Sequence, residues 1–171
     1  MNNLWTPWRM EYIKRDRELD GDCIFCAMAS GAAGDRDDLV VFRSSHAYVA
    51  LNKYPYNYGH VMIVPYAHVP SQEDMDAEAL GDLVVLTNRS MRALRQLADP
   101  SGFNIGANIG AAAGAGIAAH YHFHVVPRWE GDANFMSSVA NTRMIPDTLD
   151  NLGGALKQIW NVSFGDGEAQ K

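Results

Sequence analysis

Cysteine is scarce in this chain: Cys23 and Cys26 are the only two in 171 residues. So few exclude a disulfide-stapled scaffold, which needs several bridges to stand in for a core. Long apolar runs are missing as well. The opening Met1-Asn2-Asn3-Leu4-Trp5 has no signal core, and no stretch approaches the ~20 apolar residues of a bilayer span. The expectation is a cytoplasmic protein with no membrane partner, in a reducing compartment that favours metal binding by a cysteine pair over a structural disulfide. Blocks of like charge are lacking too. With 14 Lys+Arg against 20 Asp+Glu, nothing offers the basic surface that a nucleic-acid backbone demands, and no nucleic-acid partner is expected. A small phosphorylated ligand needs only local donors, which an acidic total does not exclude. Neither repeats nor a domain-dividing linker occur. At 47% apolar and 20% charged residues, positions 1–171 are expected to form one domain with an ample core.

What the chain does have is a concentration of histidine. Three of its six histidines fall in His120-Tyr121-His122-Phe123-His124, followed by Val125-Val126-Pro127-Arg128-Trp129. Strict alternation is the period of a β-strand. It places His120, His122 and His124 on one face, about 6.6 Å apart, with Tyr121, Phe123 and Val125 on the core side. Pro127 has no N–H to give to a ladder, which argues against a central strand continuing through it. The plainest reading is three satisfied core or surface histidines. A second is a His-x-His grip on a metal ion. A third is nucleophilic or acid–base work, for which an imidazole neutral near pH 7 is suited.

The remaining segments read as an α+β domain on an antiparallel sheet. An N-terminal arm over residues 1–20, with Trp5 and Trp8, is expected to pack over the core. Cys23-Ile24-Phe25-Cys26 has the spacing of half a zinc site, with a redox dithiol as competitor. Asp38–Arg43 and Ala47–Leu51 read as strands around the Ser44-Ser45-His46 turn. A polar, aromatic loop, Asn52 to His60, leads into the strand Val61–Val64. Apolar residues recur at three- and four-residue steps from Asp74 to Leu97, an amphipathic helix capped by Ser71 and Asp74 and stopped by Asp99-Pro100-Ser101-Gly102. Phe103–Ile109 is a further strand. The Gly110–Gly116 run can act as a hinge or bring bare backbone N–H groups to phosphate oxygens. Pro146 opens a final helix through Trp160, and residues 165–171 read as a frayed tail.

The histidine stretch with its two trailing apolar residues resembles the signature of the histidine-triad (HIT) nucleotide hydrolases and transferases. Pro127-Arg128-Trp129, with Gly131-Asp132-Ala133-Asn134-Phe135 behind it, resembles the bacterial branch that includes diadenosine tetraphosphate phosphorylases. The likeness extends over most of the chain. It implies a HIT-like fold with a five-stranded antiparallel sheet, a long helix and a C-terminal helix, and a homodimer. It implies that Cys23 and Cys26 are joined by His68 and His120 around a structural zinc ion, with no organic cofactor. His122 becomes the nucleophile that takes up a nucleotidyl group, His124 the residue that bonds the phosphate or steadies the ring, and His120 the anchor of the strand. Asn52 maps onto a residue that holds ribose hydroxyls, and His60 onto one beside the active site. Asn108 and Gly114-Ala115-Gly116 match a phosphate-side segment. Many dinucleotide-cleaving relatives carry Gln followed by Ser or Thr where this chain has Ala115 and Gly116, so phosphate contacts here would come from backbone. The expected reaction is phosphorolysis of diadenosine tetraphosphate to ATP and ADP, with inorganic phosphate as acceptor. An AMP-releasing hydrolase or nucleoside phosphoramidase, and a non-catalytic nucleotide-binding zinc protein, are the alternatives. A phosphate acceptor calls for a fixed cation; Arg128 and Lys53 are the candidates, against a plain surface ion pair for Arg128.

Overall fold

A computed structural model describes residues 23–132 and 147–165. The N-terminal arm over residues 1–20, Asn134, Phe135, Pro146 and the tail beyond Gly165 lie outside the described residues. Five strands, β1 (Val40–Arg43), β2 (Ala47–Leu51), β3 (Val61–Pro65), β4 (Gly102–Gly106) and β5 (Phe123–Arg128), form one antiparallel sheet in the order β1-β2-β3-β5-β4. Among the described residues three α-helices accompany it: α1 (Ile24–Ser30), α2 (Ala77–Ala98) and α3 (Leu149–Phe164).

Strands β2 and β3 are apolar at every position and buried at every position, because both faces of the sheet are covered there. Paired residues share a face. Val49, Leu51, Val61, Ile63 and Phe123 therefore look one way, toward α2 and α3; Tyr48, Ala50, Met62, Val64 and His124 look the other way, toward α1. The helix layer is close-fitting: Phe42 of β1 stacks on Trp160 of α3, and Gly153 lies against Leu51. Leu152, Leu156 and Trp160, one helical turn apart, are the buried stripe of α3. That helix begins at Leu149 behind a Thr148 cap and runs four residues past Trp160.

Several boundaries differ from the sequence-based expectation, each for a local reason. Helix α2 starts at Ala77, not Asp74, because Asp76 accepts from the Ala79 N–H and becomes its cap. Ser71 caps a separate 3-10 turn, Gln72–Asp74, instead. The segment ahead of β1 is a 3-10 turn, Gly34–Leu39, so that strand starts at Val40. Strand β4 stops at Gly106.

Pro127 lies inside a central strand, against expectation. The β3–β5 ladder ends at the pair Val61–Val125, and from there the chain before β3 turns off at Gly59, whose φ is 74°. A Cβ on Gly59 would stand 2.8 Å from Leu94 and 3.2 Å from the Pro127 ring. On that side Pro127 has no strand left to bond; its carbonyl instead accepts from Asn57 Nδ2 at 3.1 Å. Its missing N–H costs the sheet nothing. The strand also starts late: His120, Tyr121 and His122 lie ahead of it, and regular pairing begins at Phe123.

Candidate functional site

The histidine stretch does not present three equivalent imidazoles on an open face. His120 is fully buried and His122 is 7% exposed, and their rings turn to different neighbours. His120 goes to the cysteines. Cys23 caps the N-terminus of α1, and Cys26 follows one turn on. His68 comes from the chain just past β3. His120 Nδ1 lies 3.3 Å from Cys23 Sγ and 3.5 Å from Cys26 Sγ, and His68 Nδ1 lies 3.2 Å from Cys26 Sγ. An ion with bonds of about 2.3 Å to sulfur and about 2.0 Å to nitrogen, tetrahedrally bound, has sulfur–nitrogen edges of about 3.5 Å. The contacts match that figure, and all four donor atoms lie within 4.8 Å of one another. The ring of His120 is also held from behind. Its Nε2–H donates to the Pro65 carbonyl at 2.9 Å, which leaves the Nδ1 lone pair toward the sulfurs. Burial pushes its pKa down to about 4, the neutral form a ligand requires. No disulfide joins the two cysteines. These four residues can hold a metal ion.

The other group is His60, His122 and His124, and its proton positions follow from its partners. The His120 carbonyl can only accept, so His122 donates to it from Nδ1 at 2.9 Å and keeps Nε2 as a bare lone pair. The Tyr56 N–H donates to His60 Nδ1 at 3.0 Å, so His60 carries its proton on Nε2. That proton is given to His124 Nδ1 at 3.0 Å, which puts the proton of His124 on Nε2. A base nitrogen on His122 and a donor nitrogen on His124 thus stand on neighbouring rings, centroids 5.0 Å apart. Burial, with His124 and His122 close by, drives the His60 pKa down to about 3. Burial lowers that of His122 as well. Neutral imidazoles with fixed tautomers can attack an electrophile and donate to an oxyanion without first losing a proton.

Around this pair the expected contact residues fall unevenly. Asn52 folds its Oδ1 back on the Tyr54 N–H and brings Nδ2 to 3.4 Å from His60 Nδ1; Lys53 is exposed beside it. Asn108 is half-buried just past β4. In the Gly/Ala run a 3-10 turn uses the N–H groups of Ala113, Gly114 and Ala115 for bonds to Gly110 and Ala111. The backbone of Gly114 and Ala115 is therefore less bare than its composition suggested, whereas the Gly116 N–H stands outside those bonds. Arg128 is elsewhere. It sits about 20 Å along the strand from His122. Its Nε and Nη2 donate to Asp132 at 2.6 and 2.9 Å and its Nη1 to Asn104 at 2.7 Å. The surface ion pair is the arrangement found, and three of the five N–H groups of the fork are used.

Two residues of the site had no assigned role in the sequence. Phe25, between the cysteines, places its ring 4.9 Å from that of His122 and 5.4 Å from that of His120. Tyr56 tilts over His60 and His124 and gives His60 its backbone proton. The position of Phe25 inside Cys-x-x-Cys was a usable signal; a main-chain donor leaves none.

Residues 33–131, more than half of the chain, match the model of the HIT domain. A curated protein of Mycobacterium tuberculosis named AP-4-A phosphorylase is 38% identical over 165 residues, which cover 94% of this chain and 85% of that one. Among solved structures, a zinc-bound histidine triad family protein from Mycobacterium smegmatis is similar with a TM-score of 0.67 and 29% identity, covering 83% of this chain and 95% of that one. A histidine triad nucleotide-binding protein from Sulfolobus tokodaii has the same fold at 22% identity, TM-score 0.67, over 84% of this chain and 97% of that one. With the split histidines, the five-stranded sheet and these likenesses in agreement, the chain belongs to the HIT domain family and is an enzyme of that family.

Proposed function

We propose that this enzyme transfers a nucleotidyl group through a nucleotidyl-histidine formed on His122. The observation that carries the reading is the bond from His122 Nδ1–H to the His120 carbonyl, which leaves Nε2 as the reactive lone pair. Nε2 bonds to the α-phosphorus of a dinucleoside polyphosphate as the P–O bond of the anhydride breaks. With diadenosine tetraphosphate the leaving group is ATP, and AMP stays on His122. The His124 Nε2–H bonds a phosphoryl oxygen and offsets charge gathering there. Inorganic phosphate then takes AMP from His122, giving ADP and a neutral imidazole once more. The name of the mycobacterial relative supports phosphate over water as acceptor.

Asn52, Asn108 and the Gly114-Ala115-Gly116 segment remain the proposed nucleotide contacts, with His60 acting through His124. Arg128 spends three of its five N–H groups on Asp132 and Asn104, so exposed Lys53, beside Asn52, is the preferred cation for the incoming phosphate. Cys23, Cys26, His68 and His120 are assigned a zinc ion, supported by their spacing and by the zinc-bound relative. Four protein ligands close the shell, so the ion supplies rigidity and not a reactive water. A homodimer belongs to the same reading; β4 ends the sheet and exposes Ile105 to 51%, an edge a second copy can cover.

The test is product analysis with diadenosine tetraphosphate, with and without added phosphate. Turnover that depends on phosphate and yields ATP plus ADP is expected. Equal rates without phosphate, or AMP as a first product, would make the protein a hydrolase. Tight binding without turnover would leave a nucleotide-binding module.

A further inference from the structure

The first turn of α1 brings the two cysteines together, and a geometry that suits a shared ion also suits a bond between them. Cys23 caps the helix with an extended backbone, φ −62° and ψ 123°, and Cys26 lies within its first turn. Their sulfurs are within 4.8 Å of each other. A disulfide asks for Cα atoms about 4.4–6.8 Å apart, a span that one helical turn supplies, and rotation about Cα–Cβ closes the rest. Both thiols are free and half-buried. The redox dithiol that the spacing left open beside a zinc half-site is therefore no rival to it; one pair of residues can serve both.

Access to the pair is one-sided among the described residues. The contact of Cys23 runs inward, to fully buried His120, whereas the contact of Cys26 to exposed His68 lies at the surface. A reagent arriving from solvent meets Cys26 first. The surroundings do not depend on the sulfurs. The Tyr48 hydroxyl donates to the Phe25 carbonyl at 2.9 Å, and Arg43 donates to the carbonyls of Met28 and Ala29 at 2.7 and 2.9 Å. These bonds, with the buried Phe25 and Met28 side chains, hold α1 to the sheet. The His120 ring is kept by the Pro65 carbonyl. His68 is the loose member, since the hydrogen bond of its ring is to Cys26.

We infer that Cys23 and Cys26 form a redox site, in which a low-molecular-weight disulfide joins the two sulfurs and so withdraws both from His68 and His120. The Cys26 thiolate attacks one sulfur of the reagent, forms a mixed disulfide and releases a first thiolate. The Cys23 thiolate then attacks the Cys26 sulfur, forms the Cys23–Cys26 bond and releases a second. Two electrons pass from the cysteines to the reagent, and excess thiol runs both steps backward. The bond leaves only two imidazoles to face an ion, half of a closed tetrahedral shell. Helix α1 and His120 stay where they are, because their other ties involve no sulfur. Loss of an ion rests on the zinc assignment made above; the bond between the sulfurs does not.

The experiment mixes the full chain, reduced and loaded with zinc, with glutathione disulfide at fixed pH beside a chromophoric zinc indicator. Zinc is expected to appear in step with loss of the two thiol hydrogens, read by mass spectrometry, and tandem spectra should place the bond between Cys23 and Cys26. Far-ultraviolet circular dichroism should hold throughout, and dithiothreitol with added zinc should restore the starting state. In samples quenched early, the glutathionyl group should sit on Cys26 on the order of tenfold more often than on Cys23, since exchange follows access. Cys23→Ser, which cannot complete the bond, should keep that group on Cys26. Should this variant not fold, the quenched unaltered chain decides the same point. Thiols that stay intact under excess disulfide, a mixed disulfide that never resolves, or bonds between chains would overturn the redox site. A chain that takes up no zinc would end the zinc assignment, while the Cys23–Cys26 bond would still decide the redox one.

Discussion

His122 and His124 differ mainly in which nitrogen bears the proton, and that difference comes from a carbonyl on one side and a relayed backbone N–H on the other. Replacing His122 by Ala removes the lone pair outright. Turnover should fall by more than the about 10²–10⁴ of a lost acid–base group, with nucleotide binding close to unchanged; a rate of one tenth in a steady-state assay would assign the attack to another residue. His60 bears on stability. Its pKa is about 3 when folded against an ordinary 6.5, so the unfolded chain takes up the proton first. The stability this neutral histidine contributes is fully present above pH 6.5. It is lost as pH falls from 6.5 toward 3, at up to about 1.4 kcal/mol per pH unit. Urea midpoints measured from pH 8 to 4 at saturating zinc should fall more steeply for the unaltered chain than for His60→Asn. Parallel curves would show that His60 protonates as readily folded as unfolded.

At the scale of elements, the loop before β3 is tied to the far end of β5 by a hydrogen-bond network. Asn57 bridges the Pro127 carbonyl and Asp132, and Asp132 holds Arg128. Arg128 is 41% exposed on its side chain, so solvent screens the pair and its contribution is small. Arg128→Ala should therefore cost about 1 kcal/mol or less in denaturant unfolding. The phosphate concentration for half-maximal rate should not move. A several-fold rise in that concentration would return the arginine to the acceptor site. The helices follow a similar logic of local ties: Asp76 and Thr148 each accept from an N–H three residues on, and these caps fix where α2 and α3 begin.

For the whole molecule, the ligand group joins three distant parts of the chain: the start of α1, the end of β3 and the approach to β5. A metal ion bound there by the folded form alone would add to stability by mass action. Chelation should lower the melting temperature by several degrees at least, on the scale of about 2–8 °C per kcal/mol lost for domains near this size. Calorimetry with and without chelator, alongside metal analysis, checks this. Unchanged melting of a metal-free chain would remove the ion from the account.

Sequence alone determined the sheet-and-helix makeup, because hydrophobic period is a local property. Ala47–Leu51 and Val61–Val64 are short apolar runs bounded by turn residues, which read as buried strands. Cys23, Cys26, His68 and His120, drawn from a resemblance, meet within bonding reach. What alternation could not say is that His120 turns away from His122 and His124; rotation of a ring is decided by partners far off in sequence, the Pro65 carbonyl and the two sulfurs. Pro127 in a central strand was illegible for the same reason, since only the sheet reveals that β3 has already ended beside it. Nearness in the chain left two readings of Arg128 open, and its ion pair with Asp132 could be seen only in the fold. Tertiary structure decided which histidine faces the cysteines and which face one another, because ring direction depends on partners that the fold brings in.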